Sequence, residues 1–467
     1  MRTRILLLLL PLLVACTTKP AVEKPRVLVS TDIGGSDADD KQSFTHLMMM
    51  TDRFDLEGLV STPGGGSGDA DEMFRMIDVF EQDYPRLKAA YPGLMAPDEL
   101  RPLVKRGFKG SVPFQGYGTP TEGSEWIISC ARKDDSRPLW VLVWGGLSDL
   151  AQALHDAPDI AERIRVYFIG GPNKGGVNSY HYIAENFPEL WMIEDNASYR
   201  GFIWDAEIDD EYNNFYYDAH IAGRGHLADD FLAYYNGHVK MGDSPSLFYV
   251  MDGDPDDPEG ESWGGSFTPT RYSTRTVFDR MPTMADSIPV YSVFELRLKG
   301  PLLDLPVGTP AFYVQLRTTP LTEVYYPDPN APRPGAAPAP VPQAAPAPQP
   351  LPANAPNIPA PRYRGREGYY AGNGEFVFRY VPKAPFRVEI TLDSDYPELN
   401  GLGGSFIVAD GWPGRRTPDS YALGGHWYTD RGEAEFYEHG WQGYRTVSAH
   451  RNAVLDDWAE RWQVLMD

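Results

Sequence analysis

The sequence predicts an α/β fold, a mostly parallel open sheet, plus a smaller β-sandwich module. Three observations carry this. From Val27 to about Pro172, short apolar runs alternate with helical patterns, as parallel strands joined by crossover helices require. One of those runs, Pro138–Trp144, is continuously apolar, as strands covered on both faces are, and Arg165–Ile169 reads as another buried strand. After about Arg271 the runs alternate apolar with polar residues, as half-exposed strands do.

The 467 residues suggest two or three domains, and 42% hydrophobic residues supply the core. A formal charge of −23 argues against nucleic acid, which needs a basic footprint. Arg2 and Arg4 precede the apolar run Ile5–Leu13, which is too short to span a bilayer. The run ends in Leu13-Val-Ala-Cys16, which looks like a bacterial lipoprotein signal with Cys16 lipidated. The expected location is therefore extracytoplasmic, anchored to a membrane by lipid, with residues 17–25 as a tether. Cys130, on an amphipathic helix, is then left without a disulfide partner and reads as buried and inert.

Taken in order, the first strand, Val27-Leu-Val-Ser-Thr31, runs into Asp32, a Gly-Gly turn, and Asp37, Asp39 and Asp40 before a helix begins. One Asp there would be a helix cap. Four carboxylates within nine residues repel one another unless a cation lies among them, and hard oxygen ligands suit Ca²⁺ or Mg²⁺. A second strand, Leu56–Thr62, leads to the glycine-rich Pro63–Asp69 and a helix over about 70–84. Residues 86–120, rich in Pro and Gly with Arg101, Lys105, Arg106 and Lys109, read as a mobile flap over the sheet ends. Glu122–Lys133 and Leu147–His155 read as helices, and Leu190–Ile193 as a further strand. Four strand ends in a row thus deliver acidic, amide or Gly-Gly residues, the regularity of a site built at the carboxyl ends of strands.

Val27–Asp40, Pro138–Pro158 and Val166–Gly201 resemble the nucleoside hydrolases. More specifically they resemble the cellulose-binding Sde182 nucleoside-hydrolase-like proteins, over roughly residues 26–270. The resemblance implies a Ca²⁺ held by Asp32, Asp40, Asp243 and the main-chain carbonyl of Trp144, with Asp32 also the base toward water. It implies that Asp39 accepts from sugar hydroxyls, and that Asn178, with Glu185 and Asn186 of Ala184-Glu-Asn-Phe187, binds substrate. Three departures stand out. Six residues separate Asp32 from Asp39 where the enzymes have three, Ser30 replaces an Asp, and Gly242 replaces the His many members place near the leaving base. His181, close to Asn178, is a candidate replacement acid.

Further on, Asp252–Glu259 lacks the glycine and terminal Glu spacing of an EF-hand and reads as an acidic surface loop. Val290–Leu298, Ala311–Leu316, Gly374–Tyr380, Phe386–Leu392 and Ser405–Ala409 alternate as strands. Residues 327–361, mostly Pro and Ala, cannot bury a core and read as a disordered loop. Ser448–Met466 sets Val454, Leu455, Trp458, Trp462 and Leu465 on one helical face. The expected organisation is a signal at 1–16, an α/β domain at 26–283, a β module at 284–428, and a C-terminal helical segment at 429–467 packing on the first domain. The expected activity is Ca²⁺-dependent hydrolysis of N-glycosidic, nucleoside-like or related glycosyl bonds, on a small nucleoside or saccharide. The alternative is a non-catalytic carbohydrate-binding lipoprotein that uses Trp412, Trp427 and Trp441 as surface aromatics.

Overall fold

Parallel strands need long crossovers, and the helices predicted between the apolar runs provide them. The computed structural model describes residues 23–35, 37–62, 69–328, 330–334 and 365–466. The signal sequence, Cys16, Pro63–Gly68 and most of the segment 327–361 lie outside the described residues. The first strands are β1 (Arg26–Thr31), β2 (Asp55–Ser61), β3 (Val104–Arg106), β4 (Leu139–Trp144), β5 (Ile164–Ile169), β6 (Met192–Asp195) and β7 (Phe267–Pro269). Then follow β8 (Tyr272–Ser273), β9 (Arg275–Phe278), β10 (Ser287–Ile288), β11 (Val293–Lys299), β12 (Pro310–Pro320) and β13 (Arg366–Gly372). The last are β14 (Glu375–Tyr380), β15 (Phe386–Asp393), β16 (Gly403–Val408), β17 (Tyr421–Ala422) and β18 (Trp427–Asp430). The helices are α1 (Asp39–Met49), α2 (Ala70–Ala90), α3 (Pro97–Leu100), α4 (Glu122–Ala131), α5 (Ser148–Asp156), α6 (Val177–Asn186), α7 (His226–Leu232), α8 (Ser244–Met251), α9 (Tyr444–Ser448) and α10 (Arg451–Gln463). Among the described residues no helix is long and apolar enough to cross a membrane.

The main sheet has the order β3-β2-β1-β4-β5-β6-β18-β7, parallel except for β7. Alternation splits each strand between two cores. Val27, Val29, Trp140, Leu142 and Trp144 face α1, α2, α8 and α10, while Leu28, Leu139, Val141 and Val143 face α4, α5 and α6. The order reverses between β1 and β4, so the connections that leave their carboxyl ends pass to opposite faces of the sheet and leave a crevice between them.

The chain leaves this sheet after Pro269 and returns at Trp427. Between them lies the β module, one mixed sheet of order β10-β16-β15-β12-β13-β14-β11-β9. Its β9 precedes residue 284, so the module's sheet takes up chain from before the expected boundary. Phe294 of β11 stacks on Phe406 of β16 with centroids 4.6 Å apart. Four strands lie between those two in the sheet, so a flat sheet would hold them about 24 Å apart at ~4.8 Å per strand. The sheet therefore curls until its two halves pack face to face around a shared core.

Two expectations change. The segment 86–120 is anchored rather than a free flap. β3 pairs with β2, Phe108 N–H donates to Asp149 Oδ2 (2.8 Å), Gly118 N–H donates to Gln152 (2.7 Å), and Ser179 donates to the Gly116 carbonyl (2.7 Å). Trp412, Trp427 and Trp441 are buried, not surface aromatics, because the returning strand and its flanks pack between the two cores. Cys130 is buried, and burial pushes its thiol up to about 11.

α10 lies on the α/β core, with Trp458 and Trp462 inside it and Arg461 paired to Asp52 at 2.9 and 3.0 Å. His46 of α1 meets Trp458 and Phe248 edge-on, with centroids 5.4 and 5.1 Å away, and neither ring nitrogen has a hydrogen-bond partner among the described residues. Burial, helped by the charges of Arg461 and Arg53, lowers its pKa to about 3. The unfolded chain takes up that proton near pH ~6.5, so the stability held above this pH is lost as pH falls toward 3. In urea unfolding between pH 6 and pH 4, wild type should lose about 1.4 kcal/mol per pH unit relative to His46→Leu. Parallel curves would show that this ring does not set the acid limit.

Candidate active site

Thr31, the last residue of β1, fixes the loop that follows. Its hydroxyl accepts from Ile33 N–H (3.0 Å) and donates to Asp40 Oδ1. Asp32 N–H donates to the Trp144 carbonyl across the crevice (3.0 Å). The next residue, Gly145, sits at φ +97°, and a Cβ there would lie 2.5 Å from Asp32 Oδ2. Only glycine lets the ends of β1 and β4 approach around this carboxylate.

Asp39 and Asp40 occupy the first turn of α1, where the helix dipole favours negative charge. Asp243 arrives from 200 residues away by a chain of bonds. The Trp144 indole donates to Ser246 Oγ (2.7 Å), and Ser246 donates to the Asp243 carbonyl (2.7 Å) at the start of α8. One ligand oxygen from each of Asp39, Asp40 and Asp243 then falls within 4.8 Å of the others. Burial, followed by the neighbouring carboxylates, pushes all three well above the usual carboxylate range. Asp32 is among those neighbours for both Asp40 and Asp243. Asp243 Oδ2 is buried without a hydrogen-bond partner among the described residues. An oxygen-only donor set with an orphaned buried oxygen fits a hard divalent cation.

The cluster floors a cavity of about 520 Å³. Asp37, in the enlarged loop, turns to the rim, where Lys240 Nζ lies 2.7 Å from both its oxygens and 4.0 Å from Asp39. Burial opposes ionisation there, but bonds from Asp39, Lys240 and Tyr235 hold Asp37 at about 2. Gln42 fastens this rim to α1, accepting from Lys240 N–H (2.7 Å) and donating to the His238 carbonyl (2.8 Å). Tyr199, Arg200, Tyr326 and Lys383 also line the cavity.

The structure gathers Asp32, Asp39, Asp40 and Asp243, with the Trp144 carbonyl beside them on Asp32 N–H. It does not bring the three expected substrate contacts of α6 to this cavity. Asn178 Oδ1 accepts from Arg379 (3.0 Å) and lines a separate hollow of about 350 Å³ beside the β module. Glu185 faces Arg275 (3.5 Å), and Asn186 donates to the Tyr182 carbonyl (2.8 Å). The physical reason is rotation: α6 turns Asn178 and Glu185 toward Arg379 and Arg275 of the β module, and Asn186 bonds back onto its own helix. His181 is likewise taken by the Tyr421 hydroxyl (2.7 Å). Ser30 donates to Thr62 (3.0 Å), and no imidazole lines the acidic cavity among the described residues.

Comparison with known proteins fits this architecture. Residues 26–267 match the model of the cellulose-binding Sde182, nucleoside hydrolase-like domain. A nucleoside hydrolase-related protein from Saccharophagus degradans, associated with carbohydrate metabolism, aligns at 17% identity and TM-score 0.46, over 82% of this chain and 99% of that one. An inosine-uridine preferring nucleoside hydrolase from Bacillus anthracis aligns at 16% identity and TM-score 0.34, over 54% and 87%. A purine-preferring ribonucleoside hydrolase from Gardnerella vaginalis aligns at 12% identity and TM-score 0.33, over 53% and 84%. No curated protein matches the sequence. With the family model spanning more than half of its length, the chain belongs to the Sde182 nucleoside hydrolase-like family.

Proposed function

We propose that the protein hydrolyses a glycosidic bond, of nucleoside or related type, with a Ca²⁺ ion held by its buried carboxylates. The observation that supports this most is Asp243, which comes from a distant part of the chain, meets Asp39 and Asp40, and carries a buried oxygen without a hydrogen-bond partner among the described residues. Asp40 and Asp243 would hold the ion, with Asp32, Asp39 and the Trp144 carbonyl bordering it. A divalent ion bound there supplies the positive charge these carboxylates lack and acidifies water.

Asp32 stands at the crevice, with its backbone fixed to Trp144 and its carboxylate confined by Gly145. Its oxygen takes the proton of the attacking water as the bond to the anomeric carbon forms. The leaving group departs with the electrons of the glycosidic bond, and the surrounding carboxylates stabilise the oxocarbenium-like charge that develops. Asp39, at the mouth of the cluster, accepts from sugar hydroxyls.

A second reading, carbohydrate binding without turnover, is favoured by Gly242. A Cβ there would lie 3.0 Å from Asp39 Oδ2, so an imidazole at this position would stand directly over the site. The family's description as cellulose-binding supports the same alternative.

Two measurements test the proposal. In thermal unfolding of the full-length protein, Ca²⁺ at about 100 times its Kd should add about 2.7 kcal/mol. Asp40→Asn or Asp243→Asn should abolish that response, while raising the stability of the metal-free protein by relieving like-charge repulsion. A Ca²⁺ response that survives both substitutions would place the ion elsewhere. In a second assay, nucleosides and cello-oligosaccharides are followed for release of free sugar. Asp32→Asn should lower kcat by about 100-fold or more, leaving Ca²⁺ binding in place. Binding without any release by the wild type would support the second reading instead.

A further inference from the structure

The lining of the acidic cavity holds two cations for which the reaction outlined above has no use. Lys240 is committed to Asp37, but Arg200 and Lys383 form no ion pair among the described residues. Arg200 is held rigidly. Its guanidinium lies 4.1 Å from the ring centre of Trp441, 4.8 Å from Tyr199 and 5.4 Å from Tyr326. The turn that carries it packs so tightly on α9 that a Cβ at Gly201 would lie 2.2 Å from the Tyr444 carbonyl. Asp430, on the returning strand β18, caps that turn by accepting from the N–H groups of Asn196 (3.1 Å) and Ala197 (2.9 Å). Arg200 Nε is itself buried without an acceptor.

Lys383 comes from the β module, in the connection between β14 and β15, and its ammonium lies 5.8 Å from the ring centre of Tyr326. Arg200 and Lys383 thus flank the same Tyr326 ring and line the same cavity. Burial, then the charge of Arg200, lowers the Lys383 ammonium to about 8, while the charges of Asp37 and Asp39 oppose that shift. Two half-buried like charges without a direct ion pair are costly to hold together, and a neutral sugar would gain nothing from them. Aromatic rings alone would serve a neutral sugar. A planar guanidinium fixed among rings, beside an ammonium, matches the geometry of a carboxylate or a phosphate ester.

We propose that the cavity is built for a glycoside bearing an anionic group, a uronate carboxylate or a phosphate ester, held by Arg200 and Lys383. This deepens the glycoside-hydrolase reading and rests on it for the identity of the cavity. The β module is then a specificity element, since Tyr326 and Lys383 complete the wall that the α/β domain leaves open.

The test is calorimetric titration of the full-length protein with two matched pairs, glucuronic acid against glucose and inosine 5′-monophosphate against inosine. Each pair is measured with Ca²⁺ and with chelator, and Tb³⁺ luminescence reports the metal site separately. At least one anionic member should bind at least about tenfold tighter than its neutral partner, with or without metal. Lys383→Gln alone should reduce that preference, and Arg200→Gln with Lys383→Gln should remove it while Tb³⁺ binding stays intact. The pair that shows the preference identifies carboxylate or phosphate as the group. Equal binding within both pairs, no binding of either anion, or a preference that survives the double substitution or needs the metal overturns the proposal, whatever Tb³⁺ shows. Loss of Tb³⁺ binding in the wild type would instead overturn the metal reading, while an anion preference in chelator would still uphold this one.

Discussion

Carboxylates buried together at one end of a parallel sheet are the constraint on which the rest of this structure depends. Each pair of like charges about 4 Å apart costs about 4 kcal/mol at an effective dielectric near 20. Asp39, Asp40 and Asp243 reach that range while nearly out of water, with Asp32 beside them. No local segment would adopt such an arrangement for its own sake. It persists because β1 and β4 lie in the middle of a sheet covered on both faces, and because Trp144 ties the sheet to α8 through Ser246. The core supplies the stability, and the cluster stores an electrostatic demand that a bound cation would relieve.

The order of the chain explains how the rest of the pocket is assembled. The α/β domain is interrupted after β7, and the β module is complete before β18 closes the main sheet. That closure places Asp430 beneath the turn of Tyr199 and Arg200, and sets α9 against Gly201. The module in turn supplies Tyr326 and Lys383. Thus one wall of the cavity exists only when both ends of the interrupted domain have joined. Lys174, buried against Glu194 within the α/β domain, reaches this junction with its Nζ 4.5 Å from the ring centre of Trp412.

What the sequence disclosed follows the same division. The parallel strands were legible because both-face burial writes an unbroken apolar run, as in Leu139–Trp144. The acidic loop was legible because four carboxylates in nine residues have few bland explanations. The strand β18 was missed because its four residues, Trp427–Asp430, carry no periodicity long enough to read. Asn178, Glu185 and Asn186 were expected at the cavity because motif position gives an element but not its rotation about its own axis. Arg200 and Lys383 had no local signal at all. Only tertiary packing, through Gly201 on one side and the module on the other, makes them neighbours.

The departures from the hydrolase pattern are coupled to one another. Lengthening the loop between Asp32 and Asp39 adds Asp37 at the rim, and that carboxylate holds Lys240 in place at 2.7 Å. Lys240 lies two residues before Gly242, so the same segment that loses an imidazole over Asp39 gains an ammonium 4.0 Å from it. An imidazole offers a flat face and a directional donor to a planar base. An ammonium offers a compact, strongly hydrated charge. With Arg200 and Lys383 in the same cavity, the changes all move the rim from flat apolar recognition toward charge. The longer loop, Lys240 and Gly242 therefore belong to one rearranged rim, and Lys240, Arg200 and Lys383 share its lining with the carboxylates.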